Sequence, residues 1–335
     1  MLDKSSEQLL NTLSSTLERR SDLYETNHRS AFRLYNGFYE GNAYLAVDLY
    51  ARTLMIHDYS DSPVSNDQKI AGVHTFYQEK LPWLNCTVLK QHKAEAGEMR
   101  RGQIISGGPP DRKVQENGVW YALDLLLHQD TSLYLDTRNL RLWLKENCSG
   151  MRILNTFAYT GSLGAAALAG GANKVVQLDL NRSYHNLAKT TYTLNGFPID
   201  KSDFITGDFF PVTSRLRRER ILFDCVILDP PFFSTTARGA VDLLEDTTRL
   251  INKVRPLVDD GGYLIVINNA LYLAGRVYMK ELETLEEDGY LELERLISVP
   301  PDFSGYPETI ANPPLVDPYP FNHSTKITVL RVKRK

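Results

Sequence analysis

The chain has 335 residues, 42% of them hydrophobic and 24% charged, enough to bury a full core and most naturally organised as two domains. No apolar run is long enough to cross a membrane, the opening MLDKSSEQLL lacks the charged start and apolar core of a secretion signal, and Cys86, Cys148 and Cys225 are widely separated without CxxC spacing; these features argue against a membrane protein, a disulfide framework and a zinc site, and lead us to expect a reducing cytoplasm. The formal net charge of −3 excludes a histone-like polycation, so any nucleic acid would be met by local patches.

In chain order, residues 5–24 carry leucines at helical spacing among polar residues and predict a surface helix. In AFRLYNGFYEGNAYLAVDLYARTLMIHDYS, Asn-Gly and Glu-Gly pairs punctuate two stretches rich in Tyr, Leu and Val, a strand-turn-strand pattern. A polar loop near SDSPVSNDQK is expected to lead to a short helix over 73–79 and a strand over 86–90. HKAEAGEMRRGQIISGGPPDRK, charged and rich in Gly and Pro, reads as an exposed excursion, and VQENGVWYALDLL as a second hairpin. A helix is predicted over 133–146, stopped by Gly150.

From Arg152 the rhythm changes. Apolar strand candidates at 153–157, 175–178, 221–228 and 263–267 alternate with helical stretches, which predicts an α/β fold with a parallel sheet covered on both faces. LELERLISVP and KITVLRVKRK read as a closing pair of strands, the last antiparallel. In such sheets ligands bind beyond the carboxyl ends of the strands, so the residues that follow each strand matter most.

After the first of these strands comes NTFAYTGSLGAAALAGGA, in which Gly161 and Gly164 open a helix of small residues and let the backbone approach a ligand; an ordinary tight turn would read the same, and the GxGxxG of a dinucleotide site is missing. Asp179 ends the second strand about twenty residues beyond that turn, placed to accept from the two hydroxyls of a ribose, with a helix N-cap as the competing role. Asp208, in ITGDFF, is a candidate acceptor for an adenine amine with Phe209 or Phe210 against the ring, or equally a capping acid. FDCVILDPPFFS is the most specific stretch. Asp229 and the carbonyl of Pro230 suit an exocyclic amine, and Phe232 or Phe233 suits the face of a flat ring, unless both rings are buried elsewhere.

Together these residues resemble a class I S-adenosylmethionine-dependent methyltransferase: NTFAYTGSLG is similar to its motif I, VVQLDLN to motif II, GDFF to motif III and ILDPPFFS to motif IV, over roughly residues 125–332. More narrowly, QDTSLYLDTRNLR resembles a segment of the RlmI/RlmK group of bacterial 23S rRNA methyltransferases, and RLYNGFYEGNAYLAVDLYARTLMIHDY the hairpin-rich domain that precedes catalysis there, nearest the RlmK half of the RlmKL enzymes. The resemblance implies a Rossmann-like seven-stranded methyltransferase sheet flanked by helices over 116–335, and a smaller N-terminal α+β domain over 1–115 for substrate recognition. It also implies S-adenosylmethionine as cofactor. Phe157, Tyr159 and Gly161 would hold the methionine part, Asp179 the ribose, and Asp208 with Phe209 the adenine. Gln129, Tyr134, Asp136, Arg138 and Arg141 would come from the preceding segment, although a solvated helix face is the plainer reading of the two arginines. Asp229 and Pro230, with Phe232 and Phe233, would face the transferred methyl and the target base.

The chain departs from the RlmI pattern, in which a cysteine after the fifth strand attacks the base; here that place reads LIVINNALYL, with Asn268 and Asn269, and Cys225 lies inside an apolar strand. A PUA domain is not expected before the hairpin region. The reading is therefore transfer to a purine nitrogen, guanine N7 or an exocyclic amine, in ribosomal RNA of the 23S type, with RLRRER, EMRRG and RVKRK as candidate phosphate contacts or plain solvated surface. The alternatives are an RlmI-like 5-methylcytosine enzyme, a small-molecule or protein methyltransferase, and a non-catalytic RNA-binding or assembly factor. Whether the chain is a monomer or a homodimer is left open.

Overall fold

The computed structural model describes residues 4–334 apart from 62, 129, 237, 238 and 245. It divides into two units, Met1–Leu135 with Pro300–Pro313, and Asp136–Val299 with Pro314–Lys335.

The first unit opens with α1 (Lys4–Arg19) and continues through β1 (Ala31–Asn36), the single turn α2 (Gly37–Glu40), β2 (Leu45–Tyr50), β3 (Thr53–Asp58), α3 (Pro63–Lys80), β4 (Cys86–Gln91), α4 (Gly97–Arg101), β5 (Gln103–Gly107) and the hairpin β6 (Lys113–Glu116) and β7 (Val119–Ala122). Strands β1 to β5 form one five-stranded sheet in that order. Only β3 and β4 run parallel, because α3 carries the chain back between them. Leu13 of α1 and Ile70, Val73 and Tyr77 of α3 bury against Phe32, Leu34, Val47, Leu49, Leu54 and Ile56 of the sheet.

Here the structure corrects several expectations. The Tyr-rich stretch makes three strands, since a tight turn at Ala51, with φ 54°, separates β2 from β3 without a glycine to announce it. The helix expected at 73–79 already begins at Pro63, where a missing N–H costs a helix nothing. Part of the expected excursion is the edge strand β5. The second hairpin forms as read, with Asn117 and Gly118 both at positive φ. The first compact unit runs to Leu135, and residues 113–135 bond within it: Gln115 N donates to Arg29 O, Tyr50 Oη to Leu133 O at 2.9 Å, and Lys90 Nζ to His128 O at 2.7 Å.

In the second unit come α5 (Arg138–Asn147), β8 (Arg152–Thr156), α6 (Ser162–Ala169), β9 (Lys174–Asp179), α7 (Arg182–Asn195), β10 (Phe204–Thr206), α8 (Phe209–Arg218), β11 (Phe223–Leu228), the ribbon β12 (Phe233–Thr236) and β13 (Gly239–Asp242), α9 (Thr247–Val254), β14 (Val258–Asn268), α10 (Gly275–Glu287), β15 (Leu291–Ile297) and β16 (Lys326–Val332). Seven strands form one sheet in the order β10-β9-β8-β11-β14-β16-β15. It is parallel except for β16, which pairs antiparallel with both β14 and β15. Alternate residues feed opposite layers. Ile153, Cys225, Ile227, Ile265 and Ile267 pack with Leu140, Leu144, Leu163 and Ala166 of α5 and α6. Their neighbours Leu154, Val226, Leu228, Leu264 and Val266 pack with α8, α9 and α10 through Leu216, Leu250, Ile251, Val254 and Leu282. The strands are buried on both faces, as the continuous apolar runs predict. The chain leaves β8 toward β9 and β10, then returns to β11 on the other side of β8, so the strand order reverses between β8 and β11. That is the position where such sheets bind ligands.

Candidate functional site

Register brings the predicted residues together. Thr156, the last residue of β8, pairs with Leu178 on one side and with Leu228 on the other. Phe157, Asp179 and Asp229 are therefore the next residues on three adjacent strands, and they leave the sheet at one level. The turn after β8 is strained: Phe157 and Tyr159 have φ of 54° and 50°, and Gly161 has φ 75°. Two non-glycine residues in the left-handed region within three positions need support from their surroundings, and such strain clusters at ligand sites.

Asp179 supplies that support. Its Oδ2 accepts from Tyr159 N and its Oδ1 from Asn181 N, both at 2.8 Å. It is not the cap of α7; Asn181 is, accepting from Ser183 N at 2.9 Å. A carboxylate oxygen has two lone pairs, so both oxygens retain acceptor capacity toward the cleft. Burial pushes the Asp179 carboxyl above its ordinary value, and the amide bonds hold it back in part.

A polar pair inside the sheet braces the same turn, and sequence reasoning missed it. Gln177, fully buried in β9, accepts from Asn155 Nδ2 at 2.8 Å and donates to Tyr192 Oη at 3.0 Å and to the carbonyl of Gly161. The signal was present: Asn155 and Gln177 are amides inside otherwise apolar strands. Gly164 is obligatory beside them, because a Cβ there would stand 2.2 Å from Gln177 Nε2.

Asp208 takes the capping role. It is the N-cap of α8, accepting from Phe210 N at 2.9 Å, which commits one of its oxygens. Phe209 is a core residue, buried and stacked on Phe157 with centroids 4.6 Å apart, so its ring lines the wall beneath the turn. The arginines divide. Arg141 is buried in α5 and donates to Thr137 Oγ1 at 2.9 Å, contrary to the solvated-face reading, whereas Arg138 is half-exposed at the start of the helix. Asp136 accepts from Thr325 Oγ1 at 2.9 Å. Tyr134 belongs to the first unit and is 42% exposed; Gln129 lies outside the described residues.

Asp229 differs from Asp179 in its surroundings. Burial, with the charge of Asp136 second, pushes its carboxyl up to about 8, although part of its surface stays accessible. Pro230 is buried, while Phe232 and Phe233 are 40% and 60% exposed, so the competing expectation of two core rings fails. Phe233 opens the ribbon β12–β13, which the sequence did not announce. At the end of β14, Asn268 is structural: it donates to Leu243 O and Thr247 Oγ1 and accepts from Ala270 N, and Asn269 alone of the pair is exposed. All three cysteines are buried and free, and the Cys225 thiol is held well above its ordinary range by Cys148 and by burial.

A glycine turn, an acid ending the neighbouring strand and Asp-Pro-Pro-Phe across the strand-order reversal thus share one edge of the sheet. A profile of the S-adenosylmethionine-dependent methyltransferases matches residues 88–311 of this chain, more than half of it. The chain belongs to that family. It is an enzyme that uses S-adenosylmethionine, and it falls with the RlmK/RlmI-like members. This methyltransferase is 27% identical over 338 residues to the Bacillus subtilis (strain 168) protein named "Putative ribosomal RNA large subunit methyltransferase YwbD", covering 97% of this chain and 80% of the relative. It is 32% identical over 239 residues to the ribosomal RNA large subunit methyltransferase K/L of Pseudomonas savastanoi pv. phaseolicola (strain 1448A / Race 6), where the match covers 67% of this chain but only 30% of the relative. The chain therefore spans less than a third of that K/L protein. Its fold matches the crystal structure described as "SMU.776, a putative methyltransferase complexed with SAH", with a TM-score of 0.84 at 20% identity over 99% of this chain and 83% of that one.

Proposed function

We propose that this methyltransferase modifies a purine nitrogen in ribosomal RNA of the large subunit, working in a reducing cytoplasm. The names of the relatives support the RNA class. The observation that carries the choice of atom is the make-up of the cleft: a carboxyl at Asp229 next to two accessible phenyl rings, with every cysteine buried. Attack on a carbon by a cysteine would need a thiolate within reach of the base, and the Cys225 thiol is both buried and held protonated.

The residues fit the cofactor. Asp179, with acceptor capacity left on both oxygens, would hold the ribose hydroxyls; the strained turn from Phe157 to Gly161 presents backbone groups to the methionine part; Asp136, Arg138 and Arg141 approach from α5 and the residue pair before it. When bound, S-adenosylmethionine supplies a methyl group already activated on a sulfonium. The protein's share is then positioning and field. Phe232 or Phe233 would stack on the face of the target base, a contact worth about 1–3 kcal/mol. An exocyclic amine would donate to Asp229 and to the Pro230 carbonyl, which draws its lone pair out of conjugation with the ring. Guanine N7 already carries a free lone pair and requires no base. Asp208 would offer an adenine amine the oxygen that does not cap α8.

The test is methyl transfer to large-subunit ribosomal RNA transcribed without modifications, from S-adenosylmethionine with an isotopically labelled methyl, followed by mass spectrometry of the nucleosides. Label in a methylated guanosine or adenosine is the expected result. Label in 5-methylcytidine, or in protein alone, overturns the reading.

A further inference from the structure

The edge of the second unit's sheet away from the methyl-transfer residues carries a concave basic site. Helix α8 runs from the carboxyl end of β10 back to the amino end of β11, and α9 runs back to the amino end of β14, so their last turns meet at the opposite edge. There an open concavity of about 470 Å³ is lined by Thr213, Ser214, Arg217, Arg218, Arg220 and Lys253. All four ionisable groups are cations, and no carboxylate lines the site. Among the described residues none of the four has a carboxylate partner; the acid of the same run, Glu219, faces Arg215 at 4.0 Å instead. Lys253 Nζ donates to Ser214 Oγ at 2.8 Å, which fixes the ammonium and leaves two of its protons for a ligand.

Ordinary reasons do not account for this grouping. Basic residues in the last turn of a helix offset its dipole, and that explains Arg217 and Arg218. It does not explain Lys253, which arrives from a second helix, or Arg220, which lies past the end of α8 with φ 55°, a conformation a non-glycine side chain adopts at a cost. Four uncompensated cations converging on one hollow, in a chain of net charge −3, form a local anion site against the sign of the whole molecule.

We propose that this hollow binds backbone phosphates of the RNA substrate, at a point remote from the modified nucleotide. The proposal rests on the RNA reading above. Six residues of β11 separate the two edges, roughly 20 Å at about 3.3 Å per residue, so a free nucleotide cannot bridge both, whereas an RNA chain of several nucleotides can. Phosphate contacts of this kind position an RNA without reading its sequence.

The experiment compares the wild-type chain with the double variant Arg217→Gln, Arg220→Gln, and with Arg215→Gln as control, since Arg215 belongs to the same run but not to the hollow. Binding of unmodified large-subunit ribosomal RNA is measured across a salt series, with methyl transfer followed in parallel. The double variant should lower the slope of log affinity against log salt by about 2. It should raise KM for RNA several-fold and leave kcat and S-adenosylmethionine affinity unchanged, while the control leaves the slope unchanged. Circular dichroism and melting confirm that these exposed substitutions fold. An unchanged slope in the double variant, or an equal drop in the control, overturns the phosphate site even if methylation proceeds normally. A lowered slope without any methyl transfer to RNA upholds the site and overturns the proposed reaction. Saturable binding of inorganic pyrophosphate, lost in the double variant while RNA affinity holds, assigns the hollow to a small free anion and overturns the RNA assignment.

Discussion

Asp179 and Asp229 stand at one level on the two strands that flank β8, yet they are prepared for different work. Asp179 is fixed by two backbone amides and so accepts hydrogen bonds in a set direction. Asp229, pressed by burial and by Asp136, holds its proton up to about pH 8. An acid whose native pKa lies above its unfolded value keeps its proton longer in the folded state, so its contribution to stability is full below about pH 4 and is lost as pH rises to about 8. Asp229→Asn should therefore melt higher than wild type at pH 9 and alike at pH 4, which a series of thermal melts checks. The same titration separates the two candidate nitrogens. If Asp229 accepts from an exocyclic amine, kcat/KM for RNA should rise through the free-enzyme value near pH 8, and Asp229→Asn should lower kcat by about 10²-fold or more with a flat profile. If the target is N7, the wild-type profile is flat there and the variant stays within a few-fold.

At the scale of elements, the glycine turn depends on what lies under it. Gly164→Ala would place a methyl 2.2 Å from Gln177 Nε2 and 2.8 Å from Val175 Cγ1, in a strand buried on both faces. Overpacking there should cost about 1–3 kcal/mol and displace the turn, seen as a lower melting temperature together with weaker S-adenosylmethionine binding by calorimetry. This support was only partly legible in the sequence. Strands β8, β9, β11 and β14 were readable because a sheet covered on both faces leaves unbroken apolar runs, and Asp179 and Asp229 because they end those runs. Gln177 and Asn155 looked like interruptions of a strand, since their purpose appears only when two strands lie side by side. The turn at Ala51 and the ribbon β12–β13 were hidden for a related reason: neither carries the Asn-Gly chemistry that betrayed the hairpin at Asn117. The capping role of Asp208 and its proposed adenine role call for the same residue, and the bond to Phe210 N establishes the first while leaving the second oxygen for the other.

At the scale of the whole molecule, the chain returns from the second unit to complete the first, and a buried ion pair receives it. Arg20 donates to Glu40 through both Nη atoms, at 3.1 and 3.0 Å, and to the carbonyl of Asp302 at 2.9 Å. Glu40 also accepts from Asn36 N and from Thr309 Oγ1, and Asp302 Oδ2 accepts from Arg33 N. Both charges are fully buried, so removing one leaves the other uncompensated, at a cost of about 3–5 kcal/mol, whereas replacing both with apolar groups of similar volume is often close to neutral. Glu40→Met should therefore lower the melting of the first unit and strip hydrogen-exchange protection from residues 31–36 and 300–313, while the seven-stranded sheet keeps its protection. Arg20→Met combined with Glu40→Met should recover a large part of the loss, measured by the same exchange experiment. If the double variant is as unstable as the single, the segment is held by its backbone contacts, such as those from Ala311 N and Asn312 N to the carbonyl of Tyr39, and the ion pair is secondary.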